Sequence, residues 1–293
     1  MPRPDLLAIR YAEPQVNSMV LSDTQLVQYE RDGYVSPIPV LSDPEAQKLR
    51  GELQQTEARQ GGALHAGQRS KSFILFKWLN DLVRDSRILD PIEQLIGPNI
   101  LIWNTIFWVK EAGAKSFVSW HQDTHYWGLS NDKVVTAWVA LSPASIDAGC
   151  MRVMPGTHRQ TLRHEDRYHD DNMLTRGQEI DDGLDEKNAV YMPLRTGEMS
   201  IHNYCLAHAS GPNETDERRI GVSLHYLPPD TKQIVGDWDC ATLVRGVDTQ
   251  QNFAAAPVPS CDLDPSLLAY HEKASKALSG VLYTGAAMND RKL

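Results

Sequence analysis

Residues 199–226, MSIHNYCLAHASGPNETDERRIGVSLHY, contain two runs rich in β-branched and aromatic residues, Met199–Asn203 and Arg218–Tyr226, with Gly211-Pro212 between them. Runs of this kind, bounded by turn residues, are strands. The pattern continues outward. Ile100–Val109, Phe117–Trp120, Val134–Leu141, Met151–Met154 and Ala189–Met192 share the composition, and Gly113, Pro143, Gly149, Pro155-Gly156, Gly197 and Pro228-Pro229 punctuate them. Many short strands at close spacing, with no helix between them, predict an antiparallel sandwich or barrel.

The first hundred residues differ, reading as helices with short strands. Ser22-Asp23-Thr24-Gln25 is an S-x-x-Q capping box that opens a short helix ending at Gly33. Ser42-Asp43-Pro44-Glu45 repeats the device and starts a helix through about Gln60, stopped by Gly61-Gly62. Leu79–Ile96 has helical apolar spacing with a break expected at Arg87–Pro91, giving two short helices. A last helix is expected from Pro265 to about Leu278. The chain therefore divides into a mostly helical part (1–99), a β core (100–228) with an insertion at 159–188, and a strand/helix extension (229–293), all within a single domain of 1–293.

The balance of 41% hydrophobic and 23% charged residues excludes a disordered chain. A net charge of −9 argues against nucleic acid or an anionic membrane as partner. Cys150, Cys205, Cys240 and Cys261 form no C-x-x-C pair and are expected to be small core hydrophobes. No apolar run approaches the ~18–20 residues of a membrane span, and Met1–Asp5 opens no signal-peptide stretch. The Arg291-Lys292-Leu293 ending has Arg where a peroxisomal S-K-L signal has a small residue. The expectation is a soluble cytoplasmic protein, monomer or homodimer, with a small-molecule partner.

His121 and Asp123, in Trp120-His121-Gln122-Asp123, stand at i and i+2, which on a strand point to one face. Imidazole plus carboxylate suits Fe(II), and a second His completes a facial triad with open positions for co-substrate and O2. His208 closes an apolar strand before the Ser210-Gly211-Pro212-Asn213 turn, and Arg219 opens the next strand. A hairpin there brings Arg219 beside the His strand, where its guanidinium would clamp a carboxylate through two parallel hydrogen bonds. His202 is the rival ligand, but His208 carries the turn and the spaced Arg. Arg218 is the rival clamp, but its strand parity faces it outward. His125, at i+4, would lie about 13 Å along a strand from His121 and is expected to line the site or hydrogen-bond there. Asn104, Ile106 and Trp108 share a strand face and could line the pocket; Asn104 is taken as a co-substrate contact, whereas the other two are expected in the core.

Five segments occur in order: WHQDTHYW (120–127), TAWVAL (136–141), GCMRVMPGTH (149–158), Gly197-Glu198-Met199, and HASGPN…RR (208–219). Together they resemble the phytanoyl-CoA dioxygenase-like (PhyH-like) branch of Fe(II)/2-oxoglutarate oxygenases. The resemblance covers residues 100 to about 228 and extends to the helical N-terminal part. It implies a mainly β fold with flanking helices around a double-stranded β-helix (jelly roll, cupin-like). It also implies Fe(II) on His121, Asp123 and His208, and 2-oxoglutarate with its far carboxylate on Arg219. By the same match Ser210 hydrogen-bonds that carboxylate and Trp138 packs against the co-substrate.

The reaction expected is O2-dependent hydroxylation of a C–H bond coupled to decarboxylation of 2-oxoglutarate to succinate. Desaturation, cyclisation or epimerisation uses the same triad, and a catalytically silent jelly-roll binding protein is the non-enzymatic alternative. Loss of a ligand or of Arg219 would mark the silent protein, and none is lost. A zinc hydrolase would leave Arg219 without a role, and the intact Asp123 argues against halogenation. Tyr126, Trp127, Asp170 and Asp171 suggest a small polar or cationic metabolite or a natural-product intermediate. His125, Trp127, Arg176 and Arg245 are the candidate substrate contacts. The charged 159–188 connection is expected to be a mobile cover over the iron, since compact domains rarely keep structureless connections of that length.

Overall fold

The computed structural model describes residues 20–181 and 183–286. Met1–Asp5 and the Arg291-Lys292-Leu293 ending lie outside the described residues, as does one position of the 159–188 insertion.

Two helices follow their sequence signals closely. Ser22 caps α1 (Asp23–Asp32), which ends on left-handed Gly33, and Ser42 with Glu45 opens α2 (Asp43–Gln60), which ends on left-handed Gly61. Strand β1 (Tyr34–Pro39) runs between them. The next pair departs from expectation. The break falls at residues 83–85 rather than Arg87–Pro91, between α3 (Lys77–Leu82) and α4 (Ser86–Ile96). Asp85 accepts from Arg87 N and so caps α4, and Pro91 is carried inside the helix.

Strands β2 (Ile100–Lys110) and β3 (Val118–His121) follow, then the short helix α5 (Thr124–Trp127), β4 (Val135–Ala140) and β5 (Met151–Val153). The insertion is no bare loop. It carries a hairpin, β6 (His164–Asp166) and β7 (Gln178–Ile180), before β8 (Val190–Met192). The chain continues through β9 (Glu198–Asn203), β10 (His208–Ser210), β11 (Arg219–Leu227), β12 (Cys240–Arg245), β13 (Ala254–Ala255) and helix α6 (Leu268–Leu282). The last helix starts three residues later than expected because Asp264 first accepts from both Ser260 and Ser266, forming a turn.

The large sheet has the order β1-β9-β4-β11-β2-β12-β13 and the small one β3-β10-β5-β8. The large sheet thus takes strands from both sides of residues 100–228. Together the two sheets are the double-stranded β-helix of the cupin-like oxygenases. Strand alternation sorts the residues of the large sheet. Val135, Ala137, Val139, Met199, Ile201, Ile220, Val222 and Leu224 form the apolar core with the helices. The opposite face presents Thr136, Trp138, His202, Arg219, Ser223 and His225 to a cavity. A register shift between β2 and β11, at His225/Tyr226, skips Trp103 and re-aims Asn104, Ile106 and Trp108 into that cavity. Cys150 and Cys240 are buried as expected, whereas Cys261 is exposed.

Candidate active site

His121 and His208 face each other across the small sheet, at paired positions of β3 and β10. Strand β3 ends at His121, so Asp123 reaches the site from the cap position of α5 and not as the next strand residue on the same face. One donor atom from each of His121, Asp123 and His208 lies within 4.8 Å of the others, and all three residues are buried. Among the described residues no other such group of three occurs.

The donor chemistry fits a divalent metal. His121 Nδ1 donates to the Ser119 carbonyl and His208 Nδ1 to the Leu206 carbonyl, each at 2.9 Å. Those bonds fix the tautomer and leave both Nε2 lone pairs facing the cluster. Burial pushes both imidazoles down to about 4, so they are neutral ligands at physiological pH. The same burial raises Asp123 to about 6, and its Oδ1 lies 3.3 Å from His121 Nε2. A buried carboxylate against two neutral imidazoles needs a cation to offset its desolvation.

The triad lines a cavity of about 300 Å³ that also receives Arg219, Ser210, Trp138 and Asn104. Arg219 is buried, with its guanidinium 5.2 Å from the Trp138 ring and Nη1 donating to the Gly149 carbonyl at 2.7 Å. Among the described residues its Nε has no partner, and burial lowers its pKa to about 10, so it stays a cation. Trp138 fits there because its partner across β11 is flanked by Gly221, where a Cβ would overlap the indole ring. Arg218 faces outward, paired with Glu57 and Glu111. Asn104 Oδ1 accepts from Lys71 N and Thr105 N. His202 lines the same cavity with both ring nitrogens buried and, among the described residues, unpartnered, but it stands outside the metal-type cluster, its ring 4.8 Å from that of His208.

The expected substrate contacts divide. Trp127 lines the cavity and packs on Trp103 and His225. His125 does not: it sits on the helical turn of α5, exposed, and stacks on His164 at 4.6 Å. Arg176 is also withdrawn. It pairs with Asp166 and donates to the Leu282 and Thr284 carbonyls, fastening the insertion to α6. Arg245 pairs with Asp90 and Glu93 on α4, away from the cavity. Asp170 and Asp171 do not line it either, and Asp123 is its one carboxylate among the described residues. Ile106 and Trp108 line the cavity instead of joining the core.

Sequence reasoning missed Gln122, Lys110 and Arg69. The Gln122 amide donates to the Thr157, Gln160 and Cys205 carbonyls and accepts from Leu162 N, tying the His121–Asp123 loop to the insertion and to the turn before His208. Lys110 lies buried behind Ser210, and Arg69 adds an exposed guanidinium to the lining. Only the pairing register would have revealed Lys110, which stands opposite Arg219.

A jelly roll holding a buried His/Asp/His cluster and a buried arginine in one cavity defines the class of non-haem iron oxygenases that use a 2-oxo acid. The comparisons agree. The family model of phytanoyl-CoA dioxygenase (PhyH) matches residues 29–221. The human peroxisomal phytanoyl-CoA dioxygenase is 26% identical over 245 residues, covering 75% of this chain and 72% of that one. The ectoine dioxygenase of Streptomyces coelicolor is 25% identical over 234 residues, 70% of this chain and 77% of that one. The solved structure of the non-haem monooxygenase ThoJ, in its apo form, superposes with a TM-score of 0.78 at 32% identity, covering 88% of this chain and 97% of that one. The chain belongs to the phytanoyl-CoA dioxygenase (PhyH) family. It is an Fe(II)/2-oxoglutarate-dependent dioxygenase, with Fe(II), 2-oxoglutarate and O2 as its cofactors. Among the described residues no helix is long and apolar enough to cross a membrane.

Proposed function

We propose that His121, Asp123 and His208 hold the Fe(II), that Arg219 and Ser210 hold the distal carboxylate of 2-oxoglutarate, and that the enzyme hydroxylates a C–H bond of a mainly apolar small molecule. One observation carries this reading: the three-residue cluster and the buried, partly unpaired Arg219 line a single cavity. Bound there, iron supplies the oxidising chemistry with O2 while 2-oxoglutarate is decarboxylated to succinate.

The chain's own residues set the geometry. The Ser119 and Leu206 carbonyls orient the two imidazoles, and Trp138 walls the co-substrate end against Arg219. The substrate side is built from Tyr126, Trp127, Met173, Leu174, Leu278 and Leu282. With Asp123 committed to metal, no carboxylate among the described residues of the lining is left to attract a cationic metabolite, so the lining favours an apolar skeleton such as a natural-product intermediate. The buried Tyr126 hydroxyl lacks a partner among the described residues and is placed to donate to a polar group on that skeleton. The insertion covers the cavity through Met173, Leu174 and Thr175 and serves to keep water from the reaction.

A substrate panel tests the reading, scored by Fe(II)- and 2-oxoglutarate-dependent succinate release. Apolar ring or chain compounds with one acceptor group should stimulate turnover. Stimulation confined to cationic or zwitterionic metabolites would contradict the assignment.

A further inference from the structure

Lys110, the last residue of β2, has a side chain that is entirely inaccessible. Its Nζ donates to Ser210 Oγ at 2.7 Å and to the Gly211 carbonyl. Across the sheet it is the register partner of Arg219, itself buried. Among the described residues neither basic group has a carboxylate partner. Arg219 Nη1 reaches only the Gly149 carbonyl, and its Nε reaches nothing. Arg219 lines one end of the cavity and Lys110 lies behind Ser210, both buried and facing neutral oxygens, so an anion bound at that end would offset the cost of burying them.

We propose that Lys110 is a positioning residue for the co-substrate: it acts through Ser210, holding that hydroxyl as an acceptor so that its proton points at the distal carboxylate beside Arg219, and it adds a second positive charge when the carboxylate binds. The inference rests on the assignment of Arg219 and Ser210 to that carboxylate. The Lys110 ammonium occupies a lone pair of Ser210 Oγ, so the hydroxyl has a hydrogen to give to the cavity, where Ser210 and Arg219 both line the wall.

Charge supports the geometry. The titratable and charged groups facing Lys110 are Arg219 on β11, Arg152 on β5 and Cys150 just before it. Burial first, then Arg219, pushes the Lys110 ammonium down to about 6. That shift favours the neutral amine of Lys110 over the ammonium at pH 8. A carboxylate arriving beside it favours the charged form and raises its pKa, so co-substrate binding takes up a proton from solvent.

The test is calorimetric titration of 2-oxoglutarate into the Fe(II)-loaded enzyme under nitrogen, at pH 8, in two buffers of different ionisation enthalpy. Wild-type enzyme should take up close to one proton per co-substrate bound. Lys110→Met should abolish the uptake and weaken 2-oxoglutarate binding about ten- to a hundredfold. Its KM for 2-oxoglutarate should rise in step, with kcat at saturating co-substrate within about twofold of wild type. Removing a buried charge for an apolar chain of similar length should leave the fold intact. If the variant nevertheless fails to fold, proton uptake by the wild type decides alone. Binding by Lys110→Met within twofold of wild type, or no uptake by the wild type at pH 8, overturns the proposal. Arg219→Met run in parallel separates the two claims: unimpaired binding there would overturn the site assignment itself, whereas lost binding there with an unaffected Lys110→Met overturns only the role of Lys110.

Discussion

Arg218 and Arg219 adjoin in sequence and serve opposite sides of one sheet: Arg218 bridges Glu57 and Glu111 outside, while Arg219 lies buried with its guanidinium 5.2 Å from the Trp138 ring. Strand parity alone makes this separation, and it predicts separate phenotypes. Arg219→Met should weaken 2-oxoglutarate binding by about 30- to several-thousand-fold, and Arg219→Lys should restore it only in part, since a point charge cannot reproduce the guanidinium fork. Arg218→Ala should leave that affinity within about twofold and cost about 1 kcal/mol of stability or less, as its pairs are partly exposed. Calorimetric titration and urea denaturation measure the two; a larger binding defect in Arg218→Ala would reverse the assignment.

Gly221 makes the same pocket possible. A methyl group there overlaps the Trp138 ring, so Gly221→Ala should push the indole toward the co-substrate. The expected outcome is a rise in KM for 2-oxoglutarate of about tenfold or more, with metal content unchanged. A variant with wild-type KM would show that Trp138 does not wall the co-substrate.

Gln122 predicts a different kind of failure. Its Nε2 shares two hydrogens among three carbonyls and its Oε1 accepts from one backbone N–H, at the junction of the His121–Asp123 loop, the insertion and the turn leading to His208. Gln122→Leu keeps the size but strands those groups, at a cost of about 1–3 kcal/mol for each group left dry. Urea denaturation should show several kcal/mol lost, and metal affinity should fall although no ligand has been removed. Unchanged metal affinity would confine Gln122 to a stabilising role.

The insertion gives a prediction about motion. Arg176 joins it to α6 through Asp166 and the Leu282 and Thr284 carbonyls, and Asn172 donates to Ser119 Oγ on β3. Arg176→Ala should increase hydrogen exchange across residues 164–180 and in the last turn of α6 together. An increase limited to one of the two would mean that they are not coupled.

The sequence showed the strands of the core and both capped helices because apolar alternation and S-x-x-E/Q signals are local. The gathering of His121, Asp123, His208 and Arg219 around one cavity was legible for the same reason: they sit within short motifs at fixed spacing. Other features depend on long-range pairing. β6 and β7, HED and QEI, carry no apolar alternation, and the prolines of β1 disguise a strand that the sheet accepts at its edge. Arg176 and Arg245 were candidate substrate contacts because a lone basic residue has no visible partner until Asp166, Asp90 and Glu93 are brought to it. Asp123 reached its expected place by an unexpected route, from a helix cap rather than along a strand.

The central claim is that His121, Asp123 and His208 form the iron site and Arg219 with Ser210 the co-substrate site. The most direct measurement is a crystal structure of the enzyme grown anaerobically with Fe(II) and 2-oxoglutarate. The account predicts metal bonded to both Nε2 atoms and to the Asp123 carboxylate, with the distal carboxylate of 2-oxoglutarate on Arg219 and Ser210. Metal bonded to His202 in place of His208, or a distal carboxylate held away from Arg219, would contradict it.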